Sequence, residues 1–144
     1  RAWRRLARAT VEEHLVVDDQ HGTPYDPEFT DGPEGDGYRR QSVTLSLTRH
    51  TRVRGSLLTP HGPGPFPAVL LLHDHGARFD IGKEKFVRPW DDATRLASAQ
   101  AWVDKLLGGR FVGDELARRG YAVLCLDALG WGDRGPVAYE QQQA

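Results

Sequence analysis

Two short polar segments combine residue types that carry chemistry, and each follows an apolar run. The first is His73-Asp74-His75-Gly76, and the second is Gly130-Trp131-Gly132-Asp133-Arg134-Gly135. Imidazole rings bind metals and transfer protons, whereas glycine lets the backbone approach a ligand closely. In open α/β sheets, ligands bind at the carboxyl ends of the strands. We therefore take the first segment as the best indication of a ligand site in the chain.

The two histidines of the first segment allow a metal interpretation. Residues i and i+2 of a strand point to the same side, so His73 and His75 are able to share one zinc or iron ion. No further group of ligands follows at a recognisable spacing. For His73 we prefer a buried histidine at a strand end that hydrogen-bonds nearby backbone. We expect no metal and no cofactor.

The second segment formally matches the Gly-x-Gly-x-x-Gly pattern of dinucleotide-binding proteins. Three residues separate its first glycine from the preceding apolar run, and Asp133 would repel a phosphate. The acidic residue that binds the ribose would have to lie beyond residue 144. Nucleotide binding therefore remains an alternative that the spacing does not favour.

The elements around these segments predict a parallel crossover. The apolar runs Ala68 to Leu72 and Tyr121 to Leu126 are typical of strands that helices cover on both faces. Between them, apolar stripes predict helices over 91–107, capped by Asp91 or Asp92, and over 111–119. The order strand, helices, strand is that of a parallel pair joined by a crossover.

Upstream of the crossover, alternating apolar and polar residues predict two half-buried strands, over 41–48 and 52–59, joined as a hairpin. The predicted fold class is α/β, with an antiparallel hairpin leading into a mostly parallel sheet flanked by helices. Residues 1–40 are predicted to precede this domain, as an amphipathic helix over 1–16 and a loop over 18–40. The main domain would then span 41–144.

Composition narrows the classes of function. The 144 residues have a formal net charge of −1 and 27% charged residues, so nothing points to nucleic acid or to an anionic membrane as a partner. No apolar stretch approaches the roughly 18–20 residues of a membrane span. No signal peptide is visible, so we expect a cytoplasmic location. The single cysteine, Cys125, lies in an apolar run and is predicted to be a core thiol.

Taken in order, three segments carry a resemblance that covers roughly residues 41–144. They are Pro67 to Ala77, Asp114 to Leu124, and Asp127-Ala128-Leu129-Gly130-Trp131-Gly132. This set resembles the first half of an α/β-hydrolase, and more narrowly the dienelactone-hydrolase and acetylxylan-esterase-like branch. The resemblance implies a serine esterase that hydrolyses carboxylic esters through an acyl-enzyme.

The resemblance also implies roles for individual residues. In this fold, one N–H donor of the oxyanion hole comes from the loop after the third strand. By position we expect the N–H of Ala77 as donor, with Arg78 as the alternative. The resemblance further places five residues against the substrate, with Trp131 as a wall of the acyl pocket: His75, Gly76, Gly130, Trp131 and Gly132.

The same resemblance requires residues that these 144 do not contain. No Gly-x-Ser-x-Gly occurs, and the serines are predicted on strands or a helix. We therefore expect the catalytic triad beyond Ala144, in a carboxyl-terminal half of the same protein, and we expect residues 1–144 alone to be inactive. Without that half, Ala68 to Leu72 would form an apolar open edge prone to aggregation. A non-catalytic binding module remains the alternative of another class.

Overall fold

The computed structural model describes residues 2–14, 24–48 and 50–135. Within these ranges the chain forms five strands, three α-helices and two short 3₁₀ turns. In chain order they are α1 Ala2–His14, β1 Glu28–Asp31, β2 Tyr38–Thr48, β3 Thr51–Pro60, β4 Ala68–Leu72, the 3₁₀ turn Lys83–Lys85, α2 Ala93–Leu106, α3 Val112–Arg118, β5 Ala122–Leu126 and the 3₁₀ turn Gly132–Arg134.

The strands form a single five-stranded sheet in the order β1-β2-β3-β5-β4. The predicted hairpin is confirmed, because β2 and β3 pair antiparallel. The predicted parallel pair is also confirmed, since β4 and β5 run parallel. The pairs β1–β2 and β3–β5 are antiparallel, so the expectation of a mostly parallel sheet is not confirmed within the described ranges.

The amino-terminal part differs from its prediction. Residues Glu28–Asp31 form a strand that pairs with β2, so the loop predicted over 18–40 is wrong there. Strand β2 begins at Tyr38, and the boundary predicted after residue 40 therefore falls inside a strand. The predicted first helix is present as α1, and its apolar residues Trp3 and Leu6 are exposed.

The main core lies between the sheet and α3. Its buried members come from β2, β3, β5, α3 and the segment before α2, and they are Tyr38, Leu58, Val87, Ala117, Val123 and Cys125. Cys125 is fully buried and carries no disulfide, which confirms the predicted core thiol. A second cluster joins α2 to the residue before α3 through Ala99, Val103 and Phe111.

The helix predicted over 91–107 is present as α2, and Asp92 is the residue that caps it. Its side chain accepts a hydrogen bond from the backbone N–H of Arg95 at 2.9 Å. This bond satisfies one of the unpaired N–H groups at the start of a helix. None of the helices in the described ranges is long and apolar enough to span a membrane.

Strand β4 has the predicted bounds but not the predicted burial on both faces. Among the strands of the described residues it lies at the sheet edge and pairs with β5 alone. Leu71 packs against the main core, whereas Leu70 and Leu72 are 57% and 76% exposed. One face of β4 is therefore covered, and the other face and one edge are open among the described residues. An apolar edge of this kind is a site for pairing with another strand.

Candidate active site

The two candidate segments leave the sheet side by side. Leu72 of β4 and Leu126 of β5 are aligned in the parallel register, so His73 and Asp127 follow at the same end of the sheet. This is the carboxyl end of both strands, where ligands bind in open α/β sheets. The pairing explains why residues more than 50 positions apart meet in this site.

His73 uses both ring nitrogens in hydrogen bonds to backbone. Its Nε2 accepts from the N–H of Ala128 at 2.9 Å, and its Nδ1 lies 2.9 Å from the carbonyl oxygen of Asp74. A ring that accepts at Nε2 and donates at Nδ1 is the neutral tautomer. The preferred interpretation as a backbone-bonding histidine is confirmed, although the residue is half-buried.

The hydrogen bonds of His73 and His75 do not favour the metal alternative. His73 has no ring nitrogen left for a metal, and Nδ1 of His75 accepts a bond from the N–H of Ala77. No group of three or more His, Cys, Asp or Glu side chains is placed to hold an ion in the part of the chain that the structure describes.

An aromatic cluster joins the two segments. The indole Nε1–H of Trp131 donates to the carbonyl oxygen of His75 at 3.0 Å. The ring centroids of His75 and Trp131 are 5.0 Å apart and the rings meet edge to face. Phe79 lies 5.0 Å from Trp131 on the same centroid measure. The cluster of His75, Phe79 and Trp131 therefore forms an apolar wall beside the His-Gly loop.

The backbone turns sharply after His75. Gly76 and Ala77 have φ angles of 52° and 51°, in the left-handed region. A Cβ atom on Gly76 would approach the ring of Trp102 to 2.2 Å, so only glycine fits there. The N–H of Ala77, the expected oxyanion donor, is 3.3 Å from Nδ1 of His75. This distance is long for a hydrogen bond, and the residue is exposed.

The side chain of Arg78 is committed to a neighbour. Its Nε and Nη2 donate to the two carboxylate oxygens of Asp80 at 2.9 and 2.7 Å, and Nη2 also reaches Ser98 at 2.8 Å. The bond from Arg78 lowers the pKa of Asp80 below its ordinary value. This ion pair uses the guanidinium group of Arg78 and not its backbone N–H.

Backbone conformation and close packing explain why glycine occupies two positions of the second segment. Gly130 and Gly132 have φ angles of 94° and 51°. The N–H of Gly132 donates to the carbonyl oxygen of Phe79 at 2.9 Å, which is a further link between the two segments. A Cβ atom on Gly132 would approach the carboxylate of Asp127 to 2.6 Å. The glycine pattern thus fits close packing and a 3₁₀ turn.

A buried ionic cluster supports the second segment, and the sequence analysis did not identify it. Nζ of Lys83 lies within 2.9 Å of three carboxylates, and Arg95 bonds two of the same groups. The acidic members are Glu84, Asp127 and Asp133. Burial alone would lower the pKa of Lys83, but these carboxylates raise it above its ordinary value. Burial opposes ionisation of Asp133, but Lys83 and Arg95 lower its pKa.

Lys85, on the same 3₁₀ turn, supports the first segment. It is fully buried, and its Nζ donates to the carbonyl oxygens of Asp74 and His75, both at 3.0 Å. The ammonium group also lies over the rings of Trp102 and Trp131, at 5.1 and 5.8 Å from their centroids. Burial lowers its pKa, although Asp74 opposes the shift. The 3₁₀ turn Lys83–Lys85 therefore contacts both candidate segments, because Lys85 bonds to the first and Lys83 to the second.

A polar cavity of about 150 Å³ borders the ionic cluster: its lining includes Lys83, Glu84, Arg95 and Asp133 but none of His75, Phe79 and Trp131. The ion pairs that line it satisfy one another. We therefore base the candidate site on the convergence of the two loops at the sheet end and not on this cavity.

Comparison with known proteins gives one relative in sequence and several in structure. No family model matches the chain. "Putative hydrolase YtaP" of Bacillus subtilis (strain 168) is 32% identical over 95 residues, which are 65% of this chain and 27% of the relative. A putative acetyl xylan esterase from Bacteroides fragilis NCTC 9343 superposes with a TM-score of 0.65 and 16% identity, over 98% of this chain and 33% of that chain. Acetyl xylan esterase 1 from Thermoanaerobacterium sp. JW/SL YS485 gives a TM-score of 0.46 at 13% identity, over 80% of this chain and 28% of that chain.

The match to the Bacteroides fragilis structure confirms the predicted resemblance at the level of the fold. The chain is folded like part of a protein named as a putative acetyl xylan esterase and is similar in sequence to part of a protein named as a putative hydrolase. It spans about a third of the solved esterase and about a quarter of the curated relative. The dienelactone-hydrolase part of the resemblance stays a prediction.

Proposed function

We propose that these residues are the amino-terminal part of a carboxylic ester hydrolase with a serine nucleophile, and that they supply its oxyanion-hole and acyl-pocket loops. The observation that carries the proposal is the contact between His75 and Trp131 at the carboxyl end of two adjacent parallel strands. The sequence similarity to YtaP and the likeness of fold to an acetyl xylan esterase support the same class.

The loop after β4, residues 73 to 78, would form part of the oxyanion hole. Attack on an ester gives a tetrahedral oxyanion, and preorganised N–H groups stabilise it. The loss of one such donor costs roughly 3–4 kcal/mol in characterised enzymes. We assign this role to the N–H of Ala77, with that of Arg78 as the alternative. The long bond from Ala77 to the His75 ring leaves the N–H accessible to a stronger acceptor, because a developing oxyanion competes well with a neutral ring nitrogen.

The aromatic cluster has a task as well. An acyl group that lies next to the oxyanion donors would contact the ring of Trp131, which Phe79 supports from the side. Gly130 has open space at its Cβ position, so the backbone just before this ring carries no side chain, whereas Gly132 packs against Asp127. A wall of this kind favours uncharged acyl groups, and the fold is like that of a putative acetyl xylan esterase, so we propose small carboxylic esters, such as acetyl esters, as substrates.

The nucleophile, acid and histidine of the triad would follow Ala144. Ser42 and Ser46 lie on β2, Ser56 on β3 and Ser98 on α2, so none of these serines stands on a strand-to-helix turn. The open edge of β4 is where the strand that carries the nucleophile would pair. The partner of this part of the chain is then the carboxyl-terminal part of the same protein, and residues 1–144 alone are inactive.

The proposal is tested by fluorophosphonate labelling of the full-length protein, because this probe reacts with activated serines. We expect one labelled serine located after residue 144, hydrolysis of p-nitrophenyl acetate, and no loss of activity on dialysis against a chelator. The full-length protein with the labelled serine replaced by alanine serves as the unlabelled control. The absence of a labelled serine would refute the esterase proposal, and stoichiometric zinc bound through His73 and His75 would favour the metal alternative.

A further inference from the structure

We infer that Lys85 is a positioning residue of the proposed esterase site, because its buried side chain holds two successive carbonyl groups at the start of the oxyanion loop. The inference rests on the proposed function and goes beyond it by assigning a residue that the fold resemblance does not. Lys85 is not placed against substrate. It acts through the backbone of residues 74 to 77.

The first step is the geometry of the ammonium group. A lysine has three N–H donors and no acceptor. Two of these donors are used by the carbonyl oxygens of Asp74 and His75 at 3.0 Å, and the carboxylate of Asp74 lies 3.4 Å from the same nitrogen. A fully buried lysine with all its donors directed at one loop is a fixed clamp, because any displacement would leave a buried charge without partners.

The second step is what the clamp does to the peptide planes. In a trans peptide, each carbonyl points opposite to the N–H of the next residue. Holding the carbonyls of Asp74 and His75 toward Lys85 therefore directs the N–H groups of His75 and Gly76 away from it. The indole of Trp131 donates to the same His75 carbonyl. Two donors from separate segments thus fix the peptide plane from which the left-handed turn at Gly76 and Ala77 begins.

The third step is electrostatic. A carbonyl bonded to a cation polarises its peptide unit, which makes the attached N–H a better donor. The two peptide units bonded by Lys85 lead directly to the turn that presents the N–H groups of Ala77 and Arg78. The rings of Trp102 and Trp131 cover the ammonium group, which keeps water from weakening this effect. Lys85 therefore polarises the peptide units that carry the N–H groups of His75 and Gly76, and it acts on the N–H groups of Ala77 and Arg78 by orienting the turn that presents them.

The test compares Lys85→Met with the matched control Lys105→Met in the full-length protein. Lys105 is exposed on α2 and lies outside the proposed site. Active sites are counted by the final extent of fluorophosphonate labelling, so kcat is expressed per competent site. We expect Lys85→Met to lower kcat about 10–100-fold with little change in KM, since removing one oxyanion donor outright costs about 100–1000-fold. Lys105→Met should leave both constants unchanged.

The outcomes separate the two claims. Suppose that the wild type is labelled and active. If the kcat per site of Lys85→Met then equals that of the wild type, the inference is overturned and the proposed function stands. An unlabelled wild type overturns both. If Lys85→Met does not fold, Lys85→Gln is assayed in the same way, and it should retain an intermediate kcat because its amide keeps donors to the carbonyls. A crystal structure of the unliganded full-length protein gives a decision without any variant: Nζ of Lys85 on both carbonyls supports the inference, and Nζ turned toward the nucleophile overturns it.

Discussion

The indole of Trp131 donates its hydrogen bond to the carbonyl oxygen of His75, and the two rings meet edge to face with centroids 5.0 Å apart. The two residues are 56 positions apart in the chain. Their contact depends on the parallel pairing of β4 with β5, which brings His73 and Asp127 out at the same end of the sheet. The remaining features of the site either support this contact or extend from it.

The first prediction concerns the turn after His75. Gly76→Ala should lower the free energy of unfolding by about 2–5 kcal/mol, because a left-handed alanine costs about 1–2 kcal/mol and the clash with the Trp102 ring adds about 1–3. Gly108→Ala is the matched control, since Gly108 has a similar left-handed φ of 63° but has open space at its Cβ position. Urea unfolding of both variants measures the difference. Equal losses would contradict the close approach to Trp102.

The second prediction concerns the ionic cluster. Lys83→Met removes the cation that pairs with Asp127 and leaves Glu84 and Asp133 paired with Arg95. Removal of one partner from a buried ion pair costs about 3–5 kcal/mol. Arg118→Met removes an exposed ion pair and should cost less than about 1 kcal/mol. Chemical denaturation at neutral pH measures both. A loss for Lys83→Met no larger than that for Arg118→Met would show that the cluster does not stabilise the fold.

The third prediction follows from the pKa shifts in the same cluster. Burial would raise the pKa values of Glu84 and Asp133, but Lys83 lowers both below their ordinary values of 4.5 and 3.8, and Arg95 adds to the lowering of the Asp133 pKa. Groups with a depressed folded pKa stabilise the protein above their unfolded pKa, and this stabilisation is lost as the pH falls through the folded pKa. Stability should therefore drop below about pH 4, and less steeply in Lys83→Met. An equal loss of stability with falling pH in both proteins would show that Lys83 does not lower these pKa values.

The fourth prediction concerns Cys125. Burial raises the pKa of its thiol to about 12, with nearby carboxylates adding to the shift. Since the thiolate is the reactive form, the native thiol should resist iodoacetamide at pH 8 and react fully once the protein is unfolded in urea. Mass spectrometry gives the extent of alkylation in each state. Rapid alkylation of the native protein would place Cys125 outside the core.

Some elements of this fold are visible in the sequence because local signals set their limits. Strand β4 was predicted at its observed bounds since prolines precede the apolar run and polar residues end it. Asp92 was among the predicted caps of α2 because short acidic side chains suit that position. Strand β1 was missed because its four residues are exposed and only its pairing with β2 makes it a strand.

The buried lysines that support the site, Lys83 and Lys85, were missed for a related reason. Lysines are rarely buried, so a segment such as Gly82-Lys83-Glu84-Lys85 is normally interpreted as solvated. The partners that make burial of Lys83 favourable, Asp127 and Asp133, lie 44 and 50 residues further along the chain. The flanking residues Ile81 and Val87, both buried, were the signal that this polar segment enters the core.

The most direct test of the central claim is a crystal structure of the full-length protein after reaction with a fluorophosphonate. We predict that the phosphonyl oxygen lies within about 3.2 Å of the N–H of Ala77 or Arg78, and that the alkyl group contacts the ring of Trp131. An adduct whose oxygen is held by other groups, with His75 and Trp131 remote from it, would contradict the assignment of these two loops.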